Sequence, residues 1–164
     1  MTPPAVTHRL GLPRRAGARP DTRPHNPHQQ LSQNAPADLQ EVIWTRMTAL
    51  DDVAAGRSSV SLPDTRALHL RPRLAHGPGD AFLAGTEFAH LHGHADGSLH
   101  MCLPPAVAAE AVEQGWAELH PMARRGLLPA SLTMVYGPRD EHELDVVWQL
   151  LHLSYAFARG TAPA

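Results

Sequence analysis

TEFAHLHGHADGSLHMCL, residues 86–103, is the stretch whose reading decides the fold. Its two halves alternate polar and apolar positions around Asp96-Gly97, a dipeptide that favours the tight turn of a β-hairpin. Strands are expected over residues 86–92 and 98–103, with 93–97 as the loop. Side chains alternate faces along a strand. Phe88, His90 and His92 therefore share one face, and Ala89 and Leu91 the other. On the return strand Ser98, His100 and Cys102 lie opposite in sense to Leu99, Met101 and Leu103. A loop of odd length brings the two apolar sets together, whereas a one-residue slip would bury polar side chains. In that register His92 faces Ser98 and His90 faces His100, with opposed Cβ atoms about 4.5–5.5 Å apart. His90, His92 and His100 thus converge on one patch, with Cys102 beside it. A regular strand points Glu87 away from this patch, and Asp96 serves the turn.

Upstream, residues 59–63 and 67–72 alternate around Asp64-Thr65-Arg66 and read as another hairpin, with Gly56 breaking the chain before it. Leu39, Ile43, Met47 and Leu50 recur at helical spacing after Pro36, which predicts a helix over about residues 36–50. Downstream, Pro104 and Pro105 open a second helix that Gly115 ends. Leu132, Met134 and Tyr136 alternate through a strand over 131–137. Asp140, with Glu143 three residues on, caps a third helix carrying Leu144, Val147, Trp148, Leu151 and Tyr155 as one stripe, closed by Gly160. The expected class is α+β: a mostly antiparallel sheet of two hairpins plus one strand, with helices packed on one face. Residues 1–16 are expected to form an unstructured Pro/Arg-rich tail, and residues 17–160 one domain.

Composition excludes several chemistries. The 164 residues carry a net charge of -2, so no basic footprint for nucleic acid exists. All 14 basic residues are Arg, which removes Schiff-base and P-loop lysine chemistry. Cys102 has no cysteine partner. No G-x-S-x-G or G-x-G-x-x-G motif is present. No apolar run approaches the ~18 residues of a membrane span, and the N-terminus lacks the apolar core of a secretory signal. A cytoplasmic protein is expected.

The residues leave three readings of the patch open. Three imidazoles can hold a divalent metal, with His90, His92 and His100 as the ligands and an open coordination position. Alternatively, one imidazole acts as a general base without metal while others donate to a developing oxyanion. In the third reading the histidines are a polar hairpin face, and the domain binds a small ligand or partner without catalysis. His120, in Leu119-His120-Pro121 just past the second helix, can return to the patch if that helix packs on the sheet. His94 is expected at the surface, and His142 and His152, on the third helix, at surface or satisfied positions.

At these residues the chain resembles the luciferase-domain family. The resemblance lies in Glu87-Phe-Ala-His90-Leu-His92, Asp96, Ser98-Leu-His100, Gly115-Trp116, His120-Pro121 and Tyr136-Gly-Pro-Arg139-Asp140-Glu141. The fungal pattern is E-x-A-H-x-H, Thr-Leu-His, G-W, H-P and Y-A-P-R-[ND]-E. A weaker match, Gly17-Ala-Arg19-Pro20 with His25 and Gln33, extends it upstream, so the likeness runs from about Gly17 to Tyr155. The departures are His94 where the family has Tyr, and Gly97. The Ala/Arg/Pro-rich, Lys-free composition points to a bacterial-type member.

The resemblance implies a small oxygenase (an oxidoreductase of the monooxygenase type) acting with O2 on 3-hydroxyhispidin or another enolisable hydroxypyrone-like aromatic. Oxygen adds, a strained peroxide ring closes and CO2 leaves; light emission is not implied. No flavin, nicotinamide or ATP is required, and a divalent metal is the one candidate cofactor. His90, His92, His100 and His120 become the catalytic candidates, with Arg139 holding the substrate anion. Arg19 and His25 become candidates to reach the site from the N-terminal side.

Overall fold

The computed structural model describes residues 9–162. Its sheet has six strands: β1 (Val53–Arg57), β2 (Arg66–Leu70), β3 (Glu87–Leu91), β4 (Leu99–Cys102), β5 (Ala117–Leu119) and β6 (Leu132–Val135). They run antiparallel throughout, in the order β1-β2-β3-β4-β6-β5. The helices are α1 (Ala37–Thr48), α2 (Pro105–Glu113), the short α3 (Pro121–Arg124) and α4 (Glu141–Arg159). The class is α+β, as expected, with β5 and α3 as elements that the periodicity did not signal. Among the described residues no helix is long and apolar enough to cross a membrane.

The β3–β4 register is the one the turn dictates: Ala89 pairs with Met101, His90 with His100 and Leu91 with Leu99. Ala89, Leu91, Leu99 and Met101 are fully buried in the main apolar core with Leu144, Val147 and Leu151 of α4. α4 lies across β3 and β4, and α1 packs on α4 and β1. Asp140 caps α4 by accepting from the Glu143 N–H at 2.8 Å, and Gly160 ends it in the left-handed region at φ 73.

The first hairpin is shifted from its expected place. Its leading strand is Val53–Arg57, with Gly56 inside it, and not residues 59–63. Ser58 and Ser59 have left the ladder, and the Ser59 N–H donates to the Glu87 carboxylate. Val60 and Leu62 keep their alternation but remain 54% and 40% exposed.

A second difference is a bulge in β3. Leu68 pairs with Ala89 while the next residue, His69, pairs with Glu87, so Phe88 is an extra residue in the ladder. The bulge reverses the side-chain sense of everything before it. Phe88 turns into the core, with its ring centroid 6.0 Å from that of Tyr155. Glu87 turns onto the histidine face.

Of the expected tail, residues 1–8 lie outside the described residues, and residues 9–16 are packed on the domain. The Leu10 and Leu12 N–H groups each donate to the buried Glu110 carboxylate on α2 at 2.7 Å. The Trp116 indole donates to the Pro13 carbonyl at 2.6 Å, and Arg15, 5% exposed, sits beside Glu143. A buried carboxylate needs such donors, and the tail supplies them. The chain then crosses the face of the sheet that α1 and α4 leave open. There Thr22 bridges Gln30, the Gln30 N–H donates to Asp96, and the Gln30 side chain accepts from the Gly137 N–H.

Candidate functional site

His90, His92 and His100 meet beneath this crossing segment, all nearly or fully buried. His90 Nε2 lies 3.1 Å from His100 Nδ1, and His92 Nε2 lies 3.0 Å from the same atom. Each ring is held from behind. Glu87 Oε1 is 2.8 Å from His90 Nδ1. Asp96 Oδ2 is 3.2 Å from His92 Nδ1, with Ser98 Oγ at 2.9 Å. A carboxylate on the outer nitrogen fixes the proton there and turns the inner nitrogen's lone pair toward the centre.

His100 is backed through an intermediary. Its Nε2 is 2.9 Å from Nδ1 of His28, whose Nε2 is 2.6 Å from Glu118 Oε1. Glu118 in turn accepts from the hydroxyls of Thr22 and Tyr136. His120 completes the group, with its ring centroid 5.1 Å from that of His100. His120 Nδ1 accepts from the Met122 N–H at 3.1 Å at the start of α3. The neutral ring therefore carries its proton on Nε2 and is a donor on that side.

The electrostatics follow from burial. Removal from water pushes His100 well below the ordinary imidazole value, with the neighbouring His92 and His90 adding to the effect. Burial also lowers His90, outweighing the opposing Glu87 hydrogen bond. It brings His120 down to about 4, helped by His28. For Glu87, Asp96 and Glu118, burial is the largest single influence and acts upward, but the hydrogen bonds and charges around each, led by His90, His92 and His28 respectively, together outweigh it and lower all three carboxyls. Burial thus favours the uncharged forms of His90, His100 and His120, and carboxylates brace the cluster from outside.

The cluster lines a cavity of about 620 Å³ whose other walls include Val60, Leu62, Leu83, Met122, Leu128 and Leu132. This explains the exposed Val60 and Leu62: they belong to the wall of a cavity. The size and the mixture of apolar wall with a few convergent polar groups match a small-molecule site.

Several expected residues lie elsewhere. Arg139 does not reach the imidazoles: its guanidinium bonds Glu143, the Gln33 side chain and the Ala16 carbonyl, tying the crossing segment to α4. Arg19 donates to the Val112 and Ala117 carbonyls. His25 is exposed. His94, His142 and His152 are exposed, as expected.

His28 and Glu118 went unread. His28 sits in a proline-rich stretch without periodicity. Glu118 did carry a signal, since Glu118 and His120 alternate onto one face.

Cys102 is buried, and burial, with Asp80 and Glu87 nearby, pushes its thiol up to about 12. The folded protein is expected to be inert to a disulfide reagent at pH 8 and to release a thiol signal only on unfolding. Rapid labelling of folded protein would contradict this burial.

The sequence profile of the Luciferase domain family matches residues 85–154. A luciferase of Armillaria mellea is 37% identical over 73 residues, which is 43% of this chain and 27% of that protein. A luciferase of Neonothopanus nambi is 34% identical over 73 residues, with the same coverage. The chain therefore spans about a quarter of the length of these curated relatives. No solved structure matches. The matched segment contains Glu87, His90, His92, Asp96, His100, Glu118 and His120, while His28 lies upstream of it. Residues 85–154 of this chain thus resemble the Luciferase domain family, a match that covers less than half of the chain.

Proposed function

We propose that the domain is a small oxygenase that combines O2 with an enolisable aromatic of the hydroxypyrone class inside the histidine-lined cavity. The observation that carries this reading is the union of a ligand-sized, largely apolar cavity with convergent imidazoles inside it. A flat aromatic fits between walls such as Leu83, Leu128 and Leu132. Its hydroxyl meets the imidazole cluster, and His120 Nε2–H stands ready to donate to the oxygen as charge develops. The reaction class needs no external reductant. The enol C(OH)=C loses its O–H proton, its electron pair forms a bond from carbon to O2, and the proton ends on the distal oxygen. The products are a ketone and an adjacent hydroperoxide, so atoms and electrons balance.

The relatives named luciferase favour a hydroxypyrone as the first substrate to try. Purified protein mixed with 3-hydroxyhispidin in air is expected to consume O2 and substrate in equal amounts, above the rate of the protein-free mixture. Saturable binding with no oxygen uptake would replace the oxygenase reading with that of a non-catalytic ligand-binding domain. Absence of both would remove the substrate class.

A further inference from the structure

The placement of protons in the cluster has a consequence for what fills its centre. A neutral imidazole has one N–H and one lone pair. Glu87 places the proton of His90 on Nδ1, and Asp96 does the same for His92. Glu118 places the proton of His28 on Nε2, so His28 Nδ1 is an acceptor. That acceptor lies 2.9 Å from His100 Nε2, which must then be the donor. His100 is left with its lone pair on Nδ1, the atom 3.1 Å from His90 Nε2 and 3.0 Å from His92 Nε2. Three lone pairs converge with no hydrogen among them. Reversing the His100 ring proton would satisfy one of these contacts and leave its Nε2 lone pair facing that of His28. Neither arrangement of neutral rings satisfies the cluster, so its centre calls for a cation, an added proton or a metal ion, because unrelieved repulsion of this kind in a buried site is costly.

We infer that His90 Nε2, His92 Nε2 and His100 Nδ1 are the protein ligands of one divalent transition-metal ion. These nitrogens all lie within 4.8 Å of one another. Imidazole nitrogens about 2.1 Å from a metal and at right angles to each other stand about 3.0 Å apart, which agrees with the two short separations. Such a set covers one side of the ion and leaves the cavity side for other ligands. All three rings have the outer carboxylate support that metal-bound histidines use, two directly and His100 through His28. Neutral imidazole suits Zn, Fe, Cu or Ni over Mg or Ca.

A competing trio, His28, His100 and His120, also clusters within 4.8 Å. Its protons exclude it. His28 Nδ1 is occupied by the His100 N–H, and His120 presents N–H toward the cluster because its Nδ1 accepts from Met122. His28 is a positioning residue for His100, and His120 a donor.

The test is metal uptake by the full chain, purified without a metal-affinity column and stripped with chelator. Titration with Zn(II), read by calorimetry and elemental analysis, is expected to give one ion per chain. Glu87→Gln and His28→Gln are expected to weaken binding by about 10–100-fold, and His92→Ala to abolish it. His120→Gln is expected to leave affinity within about threefold, because it alters no ligand in the site described. Failure of the unmodified chain to bind Zn(II) stoichiometrically would overturn the inference, as would binding lost in His120→Gln but kept in His92→Ala. The oxygenase reading is separable. Stoichiometric zinc without turnover of a hydroxypyrone leaves the metal site standing and removes the oxygenase; turnover by a chain that takes up no metal does the reverse.

Discussion

Replacing His100 by alanine is expected to lower the rate of O2 consumption by about a thousandfold or more, the scale on which positioned acid–base groups act. His100 is the one ring in contact with both other inner imidazoles and with the His28–Glu118 pair. Its loss opens the centre of the cluster, whichever inner nitrogen meets the substrate. The fold should tolerate the change, because His100 bonds only to other imidazoles and the lone-pair crowding goes with it. The melting temperature is expected to stay within about 4 °C of the unmodified protein, the equivalent of roughly 1 kcal/mol at this size. Arg139→Ala is expected to do the opposite: turnover is kept, while stability falls as the ties to Glu143, Gln33 and Ala16 are lost. Oxygen electrode traces and thermal melts on the two variants check both statements. An alanine at position 100 with a rate within tenfold of the unmodified protein would show that the cluster is not the reacting centre.

The second large effect concerns Trp116. Its side chain is 2% exposed in the main core, and its indole N–H holds the Pro13 carbonyl. Trp116→Ala removes a large buried ring and is expected to cost about 3–5 kcal/mol. It should also free residues 9–16 from α2, so that limited proteolysis cuts on the N-terminal side before the domain melts. Trp116→Phe retains most of the packing and loses the hydrogen bond, for about 1 kcal/mol. Denaturant unfolding of the two variants separates the contributions. Equal losses from Ala and Phe would mean that the indole hydrogen bond, and not the ring volume, carries the stability.

How far the chain could be read depended on whether one local signal determined the outcome. The β3–β4 register followed from Asp96-Gly97, the odd loop and the need to keep Leu99 and Met101 with Ala89 and Leu91. These constraints agree, and the structure obeys them. The bulge at Phe88 could not be derived from strict alternation, but alternation contained the contradiction. It placed an apolar ring among histidines and a carboxylate against the core. One extra residue exchanges the two, and the cost of burying Glu87 without a partner is removed by His90 and Ser59. Val60 and Leu62 misled for a related reason: an alternating apolar pair serves the wall of a cavity as well as a strand.

Residues 9–34 were legible only as proline-rich coil. Their order comes from long-range partners: Glu110 for the backbone of Leu10 and Leu12, Glu118 for Thr22 and His28, and Asp96 for Gln30. No periodicity announces such contacts, since each joins residues far apart in the chain. That is why His28 was missed and why Arg139, chosen for its charge, proved to be a tie between segments.

The most direct test is a crystal structure of the chain as purified, with diffraction recorded on both sides of the absorption edges of iron, copper and zinc. An anomalous peak about 2.0–2.2 Å from His90 Nε2, His92 Nε2 and His100 Nδ1 is the predicted result. A featureless centre, with any of these three nitrogens turned outward from the others, would contradict it.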